Sequence, residues 1–139
     1  MRGLKRLFMI GLLVLTISAL TGCSCENEEK SYDLPDWHAV EAIEEEGIWL
    51  IYAFSIYCAV CNQIAPNVEA FAEAFEETHP MYFADISHGF DGDAPGPGVQ
   101  FVPTMIVMEG KRYIEQRVGA PEIFELFTQL DEGTYPTPE

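Results

Sequence analysis

The chain has 139 residues and a formal net charge of −16 at pH 7, because 23 acidic side chains face only 7 basic ones. Such a polyanion binds poorly to nucleic acid and to anionic lipid, so both are excluded as electrostatic partners. Hydrophobic residues make up 48% of the chain, which is enough for one domain with a single core.

The first 22 residues have the layout of a secretory signal peptide. Arg2, Lys5 and Arg6 form a basic start, and an almost unbroken apolar stretch follows from Leu7 to Leu20. This stretch is shorter than the ~20 apolar residues that span a membrane as a helix. It ends in Leu20-Thr21-Gly22-Cys23, which resembles the lipobox of bacterial lipoproteins.

The lipobox resemblance implies cleavage before Cys23, whose thiol then carries a diacylglycerol. Lipid would hold the protein to the extracytoplasmic side of a bacterial membrane, periplasmic or cell-surface. The alternatives are an ordinary export signal and a short uncleaved anchor, and both also place the domain outside the cytoplasm. We expect a signal peptide at 1–22, a polar tether at 23–35, a folded domain at 36–131 and a flexible tail at 132–139. Cys25 lies in the tether, as an incidental thiol or one that pairs between molecules.

The folded part shows helical and strand patterns in turn, with a loop rich in glycine and proline between two of the strands. The predicted elements are a helix at 36–46, a buried strand at 48–54, a helix at 59–77 interrupted by Pro66, a strand at 81–86, a loop at 87–100, strands at 104–108 and 112–118, and a helix at 122–130. This order predicts a layered α/β fold with helices on both faces of a mixed sheet.

A Cys-x-x-Cys pair lies where the buried strand gives way to the next helix, in SIYCAVCNQIAP at residues 55–66. The spacing alone fits a structural disulfide, half of a metal site or a redox couple. In the metal hypothesis Cys58, Cys61 and His88 would be ligands, with Met105 or Met108 as a soft fourth ligand suited to Cu(I).

The start of a helix favours redox chemistry at the first cysteine. The free N–H groups and the helix dipole stabilise a thiolate there, which lowers its pKa from the usual value of ~8.5. Cys61 follows one turn later, close enough to form a tight disulfide with Cys58. We therefore expect Cys58 to attack a substrate disulfide and Cys61 to resolve the mixed disulfide.

Residues 48–119 resemble a domain of the thioredoxin family. The shared features are the hydrophobic strand, Tyr57 before the cysteine pair, Pro66 five residues after it, and Val102-Pro103-Thr104 later in the chain. The stretch FVPTMIVMEGKRYIEQRVGA at 101–120 is similar to the family's cis-proline strand, hairpin and closing Val-Gly-Ala.

The thioredoxin resemblance implies a cis bond between Val102 and Pro103 beside the cysteines. The backbone of Val102 would then be offered to an extended substrate, with Tyr57, Pro103 and Thr104 as further substrate-positioning residues. The resemblance also implies that the dithiol is its own electron carrier, so that neither a metal nor an organic cofactor is needed.

Four departures from the family pattern are visible. Tyr52 stands where the family usually has a buried acid, and Met81 stands where it often has a lysine. Ala59-Val60 replaces the usual Gly-Pro between the cysteines. The family's first strand is missing, which predicts a compact thioredoxin-like fold with a central four-stranded mixed sheet.

These features together predict a membrane-anchored, extracytoplasmic thiol–disulfide oxidoreductase that acts on disulfides of exported proteins, with reduction favoured over oxidation. Its partners would be protein thiols and disulfides, a membrane thiol-transport electron donor and, through the N-terminal lipid, the bilayer. We expect a monomer. The alternative is a non-catalytic lipoprotein of the same fold that binds Cu(I) or a protein partner.

Overall fold

The computed structural model describes residues 30–136, and the folded unit begins at Ser31. The predicted signal peptide, Cys23 and Cys25 lie outside the described residues. Within residues 30–136, no helix combines the length and the apolar character that crossing a bilayer requires.

The described residues form a four-stranded mixed sheet with two α-helices. In chain order the elements are β1 (Ile48–Phe54), α1 (Ala59–Ala74), β2 (Met81–Asp85), β3 (Thr104–Glu109), β4 (Arg112–Val118) and α2 (Ala120–Asp131). The strand order is β2-β1-β3-β4. β1 pairs parallel to β2 and antiparallel to β3, and β3 pairs antiparallel to β4. The predicted compact four-stranded fold is confirmed.

β1 is the central strand, and its continuous apolar run follows from burial on both faces of the sheet. Six of its seven residues are buried. Leu50 and Tyr52 point into the core on one face, whereas Trp49, Ile51 and Ala53 belong to the core on the other. The sheet therefore separates two apolar layers.

Both α-helices cover the same face of the sheet, the helical face. α1 contributes Ile64, Val68 and Phe71 to its core. α2 adds Ile123, Leu126, Phe127 and Leu130 at the spacing of one helical face. The rings of Phe71 and Phe127 stack with their centroids 4.0 Å apart, so the two helices meet through aromatic side chains.

The opposite face, which we call the loop face, is covered without an α-helix. The helix predicted at 36–46 is wrong, because only a 3-10 turn forms, at His38–Ala42. Ile43 is already extended, and the Lys111 ammonium donates hydrogen bonds to the carbonyl oxygens of Glu41 and Ile43, at 2.7 and 2.5 Å. Those carbonyls would accept from later N–H groups in a continued α-helix. The prediction of helices on both faces is corrected accordingly.

The glycine-rich loop at 87–100 completes the loop face. The backbone N–H of Trp37 donates to the carbonyl of Asp91 at 2.8 Å, and the Trp37 ring meets Phe90 edge-on with centroids 4.8 Å apart. Gly96 has a positive φ of 75°, and a Cβ placed there would overlap the ring of Tyr113. Only glycine lets this loop lie directly on the aromatic ring.

The folded domain extends past both predicted boundaries. The N–H of Leu34 donates to the carbonyl of Phe83, and the N–H of Phe83 donates to the carbonyl of Tyr32, each at 2.8 Å. Asp33 thereby forms a one-residue parallel bridge with Phe83 in the edge strand β2. At the other end Tyr135 is buried in the helical-face core and donates to Glu115 at 2.9 Å. Parts of the predicted tether and tail belong to the packed domain.

Candidate active site

Three chain segments meet at the end of the sheet where β1 finishes. The parallel pairing sets Asp85, the last residue of β2, opposite Phe54, the last residue of β1. The antiparallel pairing sets Thr104, the first residue of β3, opposite Ala53. The turn after β1, the loop after β2 and the segment before β3 are therefore gathered at one edge.

The turn after β1 carries the cysteine pair, and the structure joins Cys58 and Cys61 in a disulfide with a Cα–Cα distance of 5.2 Å. Cys58 is the N-cap residue of α1, and its Sγ accepts a hydrogen bond from the N–H of Cys61 at 3.1 Å. This N–H is one of the groups at a helix start that have no partner inside the helix. Negative charge that develops on Sγ of Cys58 would be stabilised by the same contact.

The two sulfurs differ in access. Cys61 is only 2% exposed, whereas Cys58 is half-buried and lies beside exposed neighbours. A substrate sulfur can approach Cys58 but not Cys61. The chemical roles of attacking and resolving thiol stay predictions, and this difference in burial fits them.

The segment before β3 supplies the proline expected beside the cysteines. The Val102–Pro103 peptide bond is cis, and the carbonyl oxygen of Val102 lies 3.7 Å from Sγ of Cys58. Pro103 is buried, and its carbonyl accepts from the N–H of Gly119 at 2.9 Å. The backbone of Val102 therefore borders the reacting sulfur on a segment that is tied to the end of β4.

Thr104 does not lie on the surface that a substrate could contact. Its side chain is buried, and Oγ1 donates to the carbonyl of Phe101 at 2.6 Å. The hydroxyl therefore holds the bend that carries Val102 and Pro103. Among the predicted substrate-positioning residues, Thr104 lies behind the surface that the others form.

Exposed apolar side chains surround Cys58. Tyr57 is 72% exposed and Phe101 is 68% exposed, and Ile56 and Val60 are also exposed. We call these four residues the apolar rim, because each lies within two residues of Cys58 or Val102 in the sequence. Large exposed apolar groups around a concave or reactive point are typical of surfaces that bind another molecule. Of the four, only Tyr57 was singled out from the sequence.

Polar side chains that the sequence did not single out hold the cysteine turn in place. Ser87 Oγ accepts from the N–H of Ile56 at 2.8 Å, and Asn62 Nδ2 donates to the carbonyl of the same residue at 3.0 Å. Ser55 Oγ accepts from the N–H of Tyr57 at 3.2 Å. Asn62 directly follows the cysteine pair and Ser55 precedes it by three residues, and this proximity is the sequence signal that could have identified them. Ser87 had no such signal, because its contact depends on the pairing of β1 and β2.

Tyr52 lies in the helical-face core, at the position where a buried acid was expected from the family pattern. Its side chain is 3% exposed, and its hydroxyl has no hydrogen-bond partner. Burial raises the pKa of Tyr52 to about 12, because the apolar surroundings disfavour the phenolate. This position is therefore neutral at physiological pH.

The ligands of the metal hypothesis are not assembled. Within residues 30–136 no three or more His, Cys, Asp or Glu side chains form a group that could hold a metal ion. The His88 ring packs edge-on against Tyr57, with centroids 5.7 Å apart. Met105 and Met108 are buried in different layers, on the helical face and the loop face respectively. The methionines are core residues.

Comparison with known proteins gives concordant matches. The thioredoxin family model matches residues 35–132. A thioredoxin from Alicyclobacillus acidocaldarius subsp. acidocaldarius is 26% identical over 97 residues, which cover 70% of this chain and 91% of that protein.

Solved structures of thioredoxins share the fold. The thioredoxin of Malassezia sympodialis superposes with a TM-score of 0.57 at 15% identity, covering 72% of this chain and 90% of that one. The thioredoxin of Fasciola hepatica gives a TM-score of 0.56 at 19% identity, covering 70% and 96%. At these identities the likeness concerns the fold alone.

Proposed function

We propose, from the premise that the chain belongs to the thioredoxin family and is a thiol–disulfide oxidoreductase, that it acts on disulfides of exported proteins while anchored outside the cytoplasm by an N-terminal lipid. The observation that carries the proposal is the half-buried Cys58 at the start of α1, disulfide-bonded to a buried Cys61 and bordered by the Val102 carbonyl. The anchor and the compartment rest on the sequence of the first 23 residues.

The reaction is a pair of thiol–disulfide exchanges. In the reduced protein the Cys58 thiolate attacks one sulfur of the substrate disulfide, forms a mixed disulfide and releases the other substrate sulfur, which takes up a proton. Cys61 then loses its proton and attacks Cys58, so that the Cys58–Cys61 disulfide forms and the second substrate thiol leaves. Two electrons pass from the dithiol to the substrate in each cycle.

The surface around Cys58 suits a polypeptide substrate. The apolar rim would cover apolar side chains next to the substrate cysteine, and the Val102 backbone would hydrogen-bond to an extended chain, as in strand addition. The rim is already exposed beside a turn held by hydrogen bonds, so docking would need no rearrangement of the domain.

We propose the reducing direction, with electrons returned to the Cys58–Cys61 disulfide by a membrane thiol transporter. The reduction potential of the couple tests this direction. A value below about −200 mV would support a reductant, whereas a value near about −120 mV is typical of strong oxidants and would reverse the assignment.

The catalytic proposal is tested by a matched pair of substitutions at the two cysteines. Cys58→Ser should abolish turnover of a protein disulfide such as insulin, because the attacking sulfur is lost. Cys61→Ser should also stop turnover but should trap a covalent mixed disulfide through Cys58, visible on a non-reducing gel. Trapping by Cys58→Ser and not by Cys61→Ser would exchange the two roles. Full turnover in Cys58→Ser would refute the proposal.

The lipid anchor is tested separately, by substitution of Cys23. In cells fed a radiolabelled fatty acid, the full chain should incorporate label and sediment with membranes. The Cys23→Ser variant should lose the label, whereas Cys25→Ser should keep it. Equal labelling of the Cys23→Ser and unsubstituted chains would exclude this anchor and leave the oxidoreductase assignment intact.

A further inference from the structure

A cavity of about 530 Å³ lies on the loop face, between the 3-10 turn, the glycine-rich loop and the β3–β4 hairpin. We call it the Trp pocket, because the only two tryptophans of the chain, Trp37 and Trp49, both line it. Its volume falls within the range of small-molecule sites, ~300–1,000 Å³. The oxidoreductase function does not use this cavity.

The Trp pocket is remote from the disulfide. Trp49 is the second residue of β1, whereas Cys58 follows the last residue of that strand. At ~3.3 Å per residue, the strand separates the two by roughly 16 Å. Trp49 also belongs to the core of the loop face, whereas α1 covers the other face. A ligand in the pocket would not compete with a disulfide substrate.

The walls of the Trp pocket are shaped by close packing of the loop. Gly96 lies against the ring of Tyr113, and both residues line the cavity. Gly92 approaches the His38 ring so closely that an added Cβ would come within 3.1 Å of it. Two glycines with positive φ therefore let the loop press on the aromatic walls, and the cavity that remains is bounded by fixed side chains.

Aromatic and polar side chains together line the interior. Trp37, Trp49 and Tyr113 form walls, and the buried Met108 contributes to the apolar lining. The indole N–H of Trp49 donates to the carbonyl of Gly110 at 2.7 Å and its ring is fully buried, so Trp49 closes the base of the cavity. Tyr113 is the partly exposed ring of the three, and the electron-rich face of such a ring attracts cations.

The charged side chains that line the pocket favour a cationic ligand over an anionic one. Lys111 is the one lysine or arginine among the lining residues, and its ammonium donates to the carbonyls of Glu41 and Ile43 and to the carboxylate of Glu44, at 2.7, 2.5 and 3.1 Å. Its three protons are therefore committed, and it offers none to an anion. The carboxylates of Glu41 and Asp93 are exposed, line the pocket and have no partner among the described residues.

We propose that the Trp pocket binds a small organic cation, a guanidinium or substituted ammonium group on an apolar body. The cation lies against the partly exposed Tyr113 ring and pairs with the carboxylates of Glu41 and Asp93, and the apolar body fills the space above Met108. A neutral apolar ligand would cover the two carboxylates without compensating their charge, and an anion would face them directly.

Benzylguanidinium tests the proposal, with benzylurea as an uncharged analogue of nearly the same shape. Both are titrated into the purified full chain in detergent at pH 8 and low ionic strength, and intrinsic tryptophan fluorescence reports binding, because both tryptophans line the pocket. We expect saturable binding of benzylguanidinium at least about tenfold tighter than that of benzylurea. Equal affinities, or no saturable change with the cation, would overturn the proposal.

A matched pair of charge variants locates the cation. Glu41→Gln with Asp93→Asn should weaken benzylguanidinium binding at least about fivefold and leave benzylurea binding unchanged. The control, Glu69→Gln with Asp131→Asn, removes the same charge from exposed positions on α1 and α2 and should bind as the unsubstituted chain does. Equal losses in the two double variants would reduce the effect to overall charge and refute the site.

One further measurement identifies the source of the cation, and a second tests whether the Trp pocket is independent of the redox site. A tripeptide with a central arginine, compared with its citrulline counterpart, presents the same guanidinium on a polypeptide. If it binds more tightly than benzylguanidinium, the site takes a protein side chain, and if more weakly, a free ligand. Saturating benzylguanidinium should leave insulin reduction unchanged, and competition with the disulfide substrate would contradict a site remote from Cys58.

Discussion

The two faces of the sheet are closed by different means. On the helical face, α1 and α2 present rows of apolar side chains, and the interface is filled by stacked aromatic rings such as Phe71 and Phe127. On the loop face, a 3-10 turn of five residues and a loop with four positive-φ glycines cover the strands. The helical face leaves a cavity of about 210 Å³ between α1 and β2, whereas the loop face retains the larger Trp pocket of about 530 Å³.

This difference shows how a small domain divides its tasks. Regular helices bury apolar area continuously, so the face that supports the disulfide through α1 is well packed. Turns and glycines bring the backbone near the sheet at particular points and leave space between them. The redox site thus rests on the half covered by α-helices, and the other half has the larger space for a ligand.

Truncation of an isoleucine on each face should give the largest difference. Ile123→Ala removes a fully buried side chain between α2 and the sheet, and should lower the free energy of unfolding by about 4 kcal/mol. Ile43→Ala makes the same substitution on the loop face and should lower the free energy of unfolding by about 2 kcal/mol. The loss is smaller because this side chain lies near the surface and its surroundings can relax. Urea unfolding measures both. Equal losses would show that the two faces are equally well packed.

At high pH, a tyrosine on each face should contribute differently to the loss of stability. Because burial raises the pKa of Tyr52 to about 12 in the folded state, its contribution to stability is complete below pH ~10, where the unfolded phenol is also neutral, and is lost as the pH rises toward 12. Between pH 8 and pH 11.5, Tyr52→Phe should therefore lose about 2 kcal/mol less stability than the unsubstituted chain.

Tyr113→Phe provides the control on the loop face. Burial and the nearby Glu115 carboxylate raise the pKa of Tyr113 as well, but this side chain is only half-buried. Tyr113→Phe should therefore reduce the loss of stability at high pH by less than Tyr52→Phe does. Urea unfolding at the two pH values gives the comparison. An equal or larger effect at Tyr113 would contradict the ranking of the two sites.

The smallest expected difference is that between two glycine substitutions in the loop that covers the loop face. Gly96→Ala meets the Tyr113 ring and should destabilise the domain by about 2 kcal/mol. Gly98→Ala has the same positive-φ penalty but open space around it, and should cost about 1 kcal/mol. In a Tyr113→Ala background, the two glycine substitutions should lower the free energy of unfolding by equal amounts. If the difference persisted in the Tyr113→Ala background, the ring contact would not be its cause.

Much of the helical face and of the redox site could be predicted from the sequence. Apolar periodicity identified both α-helices, and the apolar run of β1 indicated a strand buried on two sides. Cys58 was placed at a helix start because a strand signal ends just before it. The cis bond at Pro103 came from family resemblance, since spacing alone gives no such information.

The loop face could not be predicted because its contacts join residues that are far apart in sequence. The apolar residues at 37, 40 and 43 have a spacing that fits both an α-helix and a 3-10 turn, and the choice depends on Lys111 from the distant hairpin. The bridge of Asp33 to β2 likewise has no local signal. The same holds at the active site, where Ser87, two residues after the neighbouring strand β2, accepts a hydrogen bond from the cysteine turn.

The bridge formed by Asp33 has a consequence for self-association. Outer strands of a sheet present unpaired N–H and C=O groups on which other chains can assemble into aggregates. Here the segment at 32–34 occupies hydrogen-bonding groups of Phe83 on one outer strand, and the charged side chains of Arg112, Glu115 and Arg117 line the other. Copies of the chain at high concentration would meet often, and the bridge on one outer strand and the charges on the other disfavour their assembly through the sheet edges.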